Sequence, residues 1–158
     1  MTVAAAIADN VVVQRELFYE IMRELPPLFI AEWEEAGRGE QRQQLNPAWD
    51  KYIALELQGI LTLHTMRDRG KLIGYVFNII YPHLHFADTV YGYIDALYVL
   101  PEYRNTDGPE EMLLLNELFL RGEGVARIQI AVPPAKWLYK LVKKLQYIRT
   151  EVIHMKWL

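Results

Sequence analysis

The chain has 158 residues, of which 52% are hydrophobic and 23% charged, with a formal net charge of −3 and no cysteine. That length and apolar share fit one domain, residues 1–158, around one core, and the slight acidity argues against a nucleic-acid partner, which would ask for a basic excess. The absence of cysteine excludes disulfides, thiolate nucleophiles and cysteine-based zinc sites. Apolar runs such as Leu72 to Tyr81 are too short and too interrupted to cross a bilayer, and the first ten residues lack the basic start of a signal peptide.

Val11 to Gln14 is β-branched and reads as a first strand. Glu16 to Glu24 has helical spacing, with Leu17, Ile21 and Leu25 in one stripe, and Pro26-Pro27 interrupts it. Pro27 then opens a helix carrying Phe29, Ile30 and Trp33 that ends at Gly37, and Arg38 to Gln44 is a polar loop. Asn46-Pro47 is a helix start, an N-cap followed by proline, for a helix that runs to about Gly59 and presents Trp49, Tyr52, Ile53 and Leu57. From there the period becomes that of strands: Leu61 to Arg67, a turn at Asp68 to Lys71, and Leu72 to Tyr81. Pro82 to Thr89 reads as a loop, Val90 to Val99 as a long strand, and Pro101 to Asp107 as a second loop. A helix follows over Glu110 to Arg121, with Met112, Leu115 and Phe119 inward and Gly122 and Gly124 as stops. Arg127 to Val132 is a strand, Ala135 to Leu145 a helix, and Ile148 to Trp157 a last strand. This order predicts an α/β fold with a mixed sheet and helices on both faces.

The stretch Asp95-Ala-Leu-Tyr-Val-Leu-Pro-Glu-Tyr-Arg104, followed by a helix, resembles the central motif of the Gcn5-related N-acetyltransferases, the GNAT superfamily. The element order extends that resemblance over nearly the whole chain. It is closest to GNAT-like proteins of tailed bacteriophages, through Leu45 to Asp50, Gly70 to Tyr75 and Tyr81 to Thr89. The resemblance implies a mostly antiparallel mixed sheet flanked by helices. It also implies an acetyl-CoA site in which the strand ending at Val99 holds the thioester arm, while Arg104 and the N–H groups around Gly108 hold the pyrophosphate. The strands ending near Val99 and Val132 are then expected to run parallel and separate at those ends.

Two departures stand against the motif. Aligned without gaps from Arg104, the family's loop glycines fall on Thr106 and Pro109; a shift of one residue recovers Gly108 but puts Glu110 at the second. Proline has no N–H to give, and Asp107-x-x-Glu110 reads as a capping box that would satisfy the helix end from within. Asp107, Glu110 and Glu111 would also repel a pyrophosphate. The second departure lies in the last helix, where the tyrosine that protonates the leaving thiolate in many relatives is matched by Val142; Tyr139, nearly one turn earlier, is the substitute. Asp95, in a strand among Tyr91, Tyr93 and Leu97, is the candidate general base, its pKa raised by burial.

His83 and His85 with Asp88 have the residue types of a metal site but no fourth ligand, so no metal is assigned; His64 and His154 read as packing residues in strands. Lys136, Lys140, Lys143 and Lys144 with Trp137 form either a solvated or a contact face. Two functions follow from this reading. The damaged loop favours a phage-type component of a particle or assembly, in virion or host cytoplasm, needing no cofactor and partnered by other protein chains such as phage structural proteins, through Thr2 to Ala8 and Lys156 to Leu158. The alternative is an acetyl-CoA-dependent N-acetyltransferase acting on an unknown amine.

Overall fold

The computed structural model describes residues 10–36, 44–132, 136–154 and 156. Five strands form one sheet in the order β1 (Val11–Arg15), β2 (Leu61–Asp68), β3 (Lys71–His83), β4 (Phe86–Val99) and β5 (Val125–Ile130). The first four are antiparallel to their neighbours, and β5 is parallel to β4. The helix between β4 and β5 makes that parallel pair possible, because a parallel connection needs a crossover.

Helices cover both faces. α1 (Phe18–Ile21), α2 (Pro26–Glu35) and α3 (Trp49–Leu57) lie on one side. There Phe18, Leu28 and Phe29 meet Leu63, Tyr75, Phe77 and Tyr98, with Trp49 and Tyr52 closing the layer. The rings interlock: Phe29 stacks on Trp49 with centroids 5.7 Å apart and meets Tyr75 edge-on at 5.4 Å. α4 (Gly108–Gly122) and α5 (Lys136–Lys144) lie on the other side, where Met112, Leu113, Leu138 and Val142 pack on Met66, Ile73, Val76, Ile94, Leu97 and Val99.

The expected mixed sheet with two helical faces is found, as is the parallel pairing of the strands before and after α4. Several boundaries differ. α3 begins at Trp49 rather than Asn46, and its N-cap position, Ala48, makes no side-chain cap bond. Leu57, expected inward, is 80% exposed. The loop expected over Pro82 to Thr89 is mostly strand: β3 runs to His83 and β4 starts at Phe86, because extended pairing continues until only Leu84 and His85 are left to turn. No strand forms over the described residues 148–154, where Ile148, Val152 and Ile153 stay exposed. β-branched residues do not make a strand without a ladder to join, and the contact toward β5 is a side-chain pair, Arg127 with Glu151 at 3.4 Å. His154 is accordingly exposed and in no strand, whereas His64 is buried as expected. Thr2 to Ala8, Trp157 and Leu158, most of the loop after Gly37, and Pro133 to Ala135 lie outside the described residues.

Candidate functional site

The site is built on an irregularity of β4. Phe77 pairs with Ala96 but Asn78 pairs with Ile94, so Asp95 has no counterpart on β3 and forms a bulge. The parallel pairing with β5 ends at the same place, with Ile94 opposite Ile130. Beyond the bulge, Ala96 to Val99 pair with β3 on one side and, among the described residues, with no strand on the other.

The polarity of that edge follows from the ladder. Leu100 N–H donates to the Ile73 carbonyl at 2.9 Å. Val99, opposite Gly74, is therefore in a non-hydrogen-bonded pair, and its own N–H and C=O point away from β3. Leu97, two residues earlier, shares this orientation. Two residues thus offer main-chain donors and acceptors along an edge that β5 does not reach.

The bulge also resets the faces of the strand. Tyr93 lies opposite Ile79, on the α1–α3 side, while Leu97 packs with the α4–α5 core. The single face expected to hold Asp95 with Tyr91, Tyr93 and Leu97 is broken at Asp95 itself. Asp95 is exposed rather than buried, because a bulged residue is turned out of the ladder, so the burial expected to raise its pKa is not found. It lies near Tyr52, as does Glu32: burial first, and then the negative charges of Asp95 and Glu32, push the Tyr52 phenol up. Glu32 accepts a hydrogen bond from the Tyr75 hydroxyl at 2.6 Å. Carboxylates and phenols from α2, α3, β3 and β4 thus meet on the side of the bulge away from α4.

After Val99 the chain makes a short 3-10 turn at Pro101–Tyr103 and enters α4. Asp107 occupies the N-cap position, but its φ of −75° and ψ of −15° are already helical and its side chain makes no capping bond. A capping side chain needs extended backbone to reach the N2 or N3 N–H, so the expected capping box does not form. The reciprocal partner is also engaged elsewhere, since Glu110 pairs with Lys144 of α5. The Thr106 hydroxyl lies 3.4 Å from the Gly108 N–H. Gly108 is glycine here for closeness: a Cβ would sit 2.6 Å from Met66 Sδ.

Arg104 is held on every side. Its Nε donates to the Val99 carbonyl at 2.7 Å, and its two terminal nitrogens reach the Glu35 carboxylate at 2.9 and 2.5 Å. The guanidinium lies 5.3 Å from the Tyr98 ring centre and 4.8 Å from that of Trp137.

In α5, Val142 is core and Tyr139 is 60% exposed. Gln146, just after the helix, has a φ of 62°, a conformation that favours glycine. His83 and His85 sit at the β3–β4 turn, where His83 Nδ1 accepts the His85 N–H at 3.2 Å and the His83 ring packs on Phe86 and Tyr91. Among the described residues no three His, Asp or Glu side chains are grouped to hold a metal. Glu35 and the Asp95 bulge were missed in sequence. A charged residue beside a small one, Asp95-Ala96, inside an otherwise bulky apolar strand was the available sign of the bulge. Glu35 carried none.

No family model and no curated protein matches the chain by sequence. Solved structures do match in shape. An aminoglycoside acetyltransferase from an uncultured soil metagenomic sample, solved with trehalose, superposes with a TM-score of 0.75 over 96% of this chain and 98% of its own, at 11% identity. The GCN5-related N-acetyltransferase of Ralstonia eutropha gives 0.72 over 92% and 97%, at 16% identity. The fold is that of the GNAT acetyltransferases. A predicted acetyltransferase of Clostridium acetobutylicum, solved with acetyl-CoA, agrees at a TM-score of 0.70 over 92% and 96%, with 14% identity. At these identities the GNAT likeness is one of fold. The narrower expectations of a phage relative and a virion component find no support in it.

Proposed function

We propose that this GNAT-fold chain is an acyl-CoA-dependent N-acyltransferase that acetylates an amine. One observation carries the reading: past the Asp95 bulge, Leu97 and Val99 present main-chain donors and acceptors on an edge of β4 that β5 leaves open. That edge suits the amide-bearing arm of an acyl-CoA, which can add to it in the manner of a strand. The acetyltransferases among the structural neighbours support this use of the fold. The damaged loop bears on the pyrophosphate and leaves the edge intact.

Acetyl-CoA, when bound, supplies an activated acyl carbon; the amine nitrogen bonds to it, the carbon–sulfur bond breaks, and CoA leaves as the thiol. In this reading Asp95 takes the proton from the attacking amine, and its exposure supports access by an acceptor from the α2–α3 side. Tyr139 is the hydroxyl proposed to return a proton to the leaving sulfur.

The test is thiol release from acetyl-CoA with a panel of primary amines, which the absence of cysteine in the chain keeps free of background. Asp95→Asn is expected to lower kcat by about 10²–10⁴-fold, the usual contribution of a general base, with the loss shrinking as pH rises and the amine deprotonates itself. An unaltered rate in Asp95→Asn removes the assigned base.

A binding role rests on a different observation. Leu114 and Leu118 are exposed apolar residues on the outer face of α4, and an open groove runs between Val13 of β1 and Leu114, Leu115 and Leu118. A chain that bound neither acetyl-CoA nor CoA would leave this surface, and a protein partner, as the better reading.

A further inference from the structure

Arg104 is the single Lys or Arg between Val99 and Gly108, and thus the cation that the loop can offer to a pyrophosphate. Its present contacts lie on both faces of the sheet. Tyr98 belongs to the core under α1–α3, and Glu35 ends α2 on that side; Trp137 belongs to the core under α4–α5. A side chain that touches both must pass round the free edge of β4, through the space where β5 has stopped pairing. Its bond to the Val99 carbonyl places it there independently, because that carbonyl points to the open edge. The Arg104 side chain is 12% exposed and Glu35 36% exposed. Two parallel bonds to one carboxylate fix a guanidinium far better than a single contact.

We propose that Glu35 gates the acyl donor: through its two bonds to Arg104 it holds a latch across the open edge of β4, and an acyl-CoA pyrophosphate enters by taking the guanidinium from Glu35. This rests on the acyltransferase reading above. A phosphate and a carboxylate compete for the same fork of donors, so Glu35 and the pyrophosphate exclude each other on Arg104. In the latched state the Val99 carbonyl is occupied as well, so closure covers the backbone edge and withdraws the cation in one movement. α2 packs over the α1–α3 face, where the bulge and Tyr52 also lie, and Glu35 at its end links the donor side to the proposed acceptor side.

Calorimetric titration of the full chain with acetyl-CoA tests this, using wild type, Glu35→Gln, Arg104→Ala and the double variant. The latch predicts that Glu35→Gln binds acetyl-CoA about 5-fold or more tightly than wild type, the lower end of ordinary coupling between sites. Arg104→Ala should bind more weakly, and the double variant should behave as Arg104→Ala does, because without the guanidinium Glu35 has nothing to withhold. In turnover, the effect of Glu35→Gln should fall on the KM for acetyl-CoA rather than on kcat. A merely structural role for Glu35 would not make its loss a gain in affinity. Equal binding by wild type and Glu35→Gln overturns the latch and leaves the acyltransferase reading standing, as does a gain that persists in the double variant. Failure of all four proteins to bind overturns both.

Discussion

Asp107 stands at the start of α4 with its carboxylate making no bond to the helix end. An exposed side chain without such a role is worth little to stability. Asp107→Ala should therefore change the unfolding free energy by less than about 0.5 kcal/mol in a denaturant titration; a loss of about 1–2 kcal/mol would restore the cap. His64 is the opposite case. It is 1% exposed, with no hydrogen-bond partner at Nδ1, and burial, helped by the charge of Arg15, lowers its pKa to about 4. An unfolded histidine titrates near 6.5, so between about 6.5 and 4 the unfolded chain binds the extra proton. Stability from neutral His64 is thus complete above 6.5 and lost as pH falls toward 4. His64→Leu should flatten the pH dependence of stability in that window, and an unchanged slope would show that other groups govern it.

At the scale of elements, α4 is tied to the sheet by polar as well as apolar contacts. Asn78 of β3 donates to Asn116 Oδ1 of α4 at 2.6 Å, Asn116 donates back to Asn78 Oδ1 at 3.0 Å, and Asn78 also donates to Thr62 at 3.1 Å; both asparagines are fully buried. Removing one partner strands the other's amide, at about 1–3 kcal/mol. Asn116→Leu should show that loss in thermal unfolding, and Asn78→Val in the same chain should recover part of it, because the two facing amides are then both gone and only the Thr62 hydroxyl loses a donor. Additive losses would contradict the pairing. The elements themselves were legible in sequence wherever hydrophobic period and turn residues agreed, as in the β2–β3 hairpin around Gly70, which needs a φ of 83°. They were illegible where one pattern served two outcomes. Ile148 to Ile153 has the residues of a strand but no ladder to join, and Asp107 to Glu110 has the letters of a capping box without its backbone. Most of the candidate site was likewise visible, at Asp95, Val99, Arg104 and Gly108. The latch was not, because Glu35 and Arg104 are 69 residues apart and only the fold makes them neighbours.

For the whole molecule, the sheet organises the chemistry. Among the described residues four antiparallel strands make a platform, the parallel strand β5 stops short, and helices on the two faces carry different groups to the gap. The α4–α5 side brings a helix start and Trp137; the α1–α3 side brings Glu35, Glu32 and Tyr52. The open edge of β4 is where these meet, and an acyl donor is proposed to bind along it. Backbone amide NMR of the full chain during titration with acetyl-CoA tests it most directly. The Leu97 and Val99 amides are expected to shift at the lowest ligand concentrations, together with those leading into α4, while β1 and β2 stay unmoved. A titration in which Leu97 and Val99 do not shift, while amides elsewhere do, would contradict it.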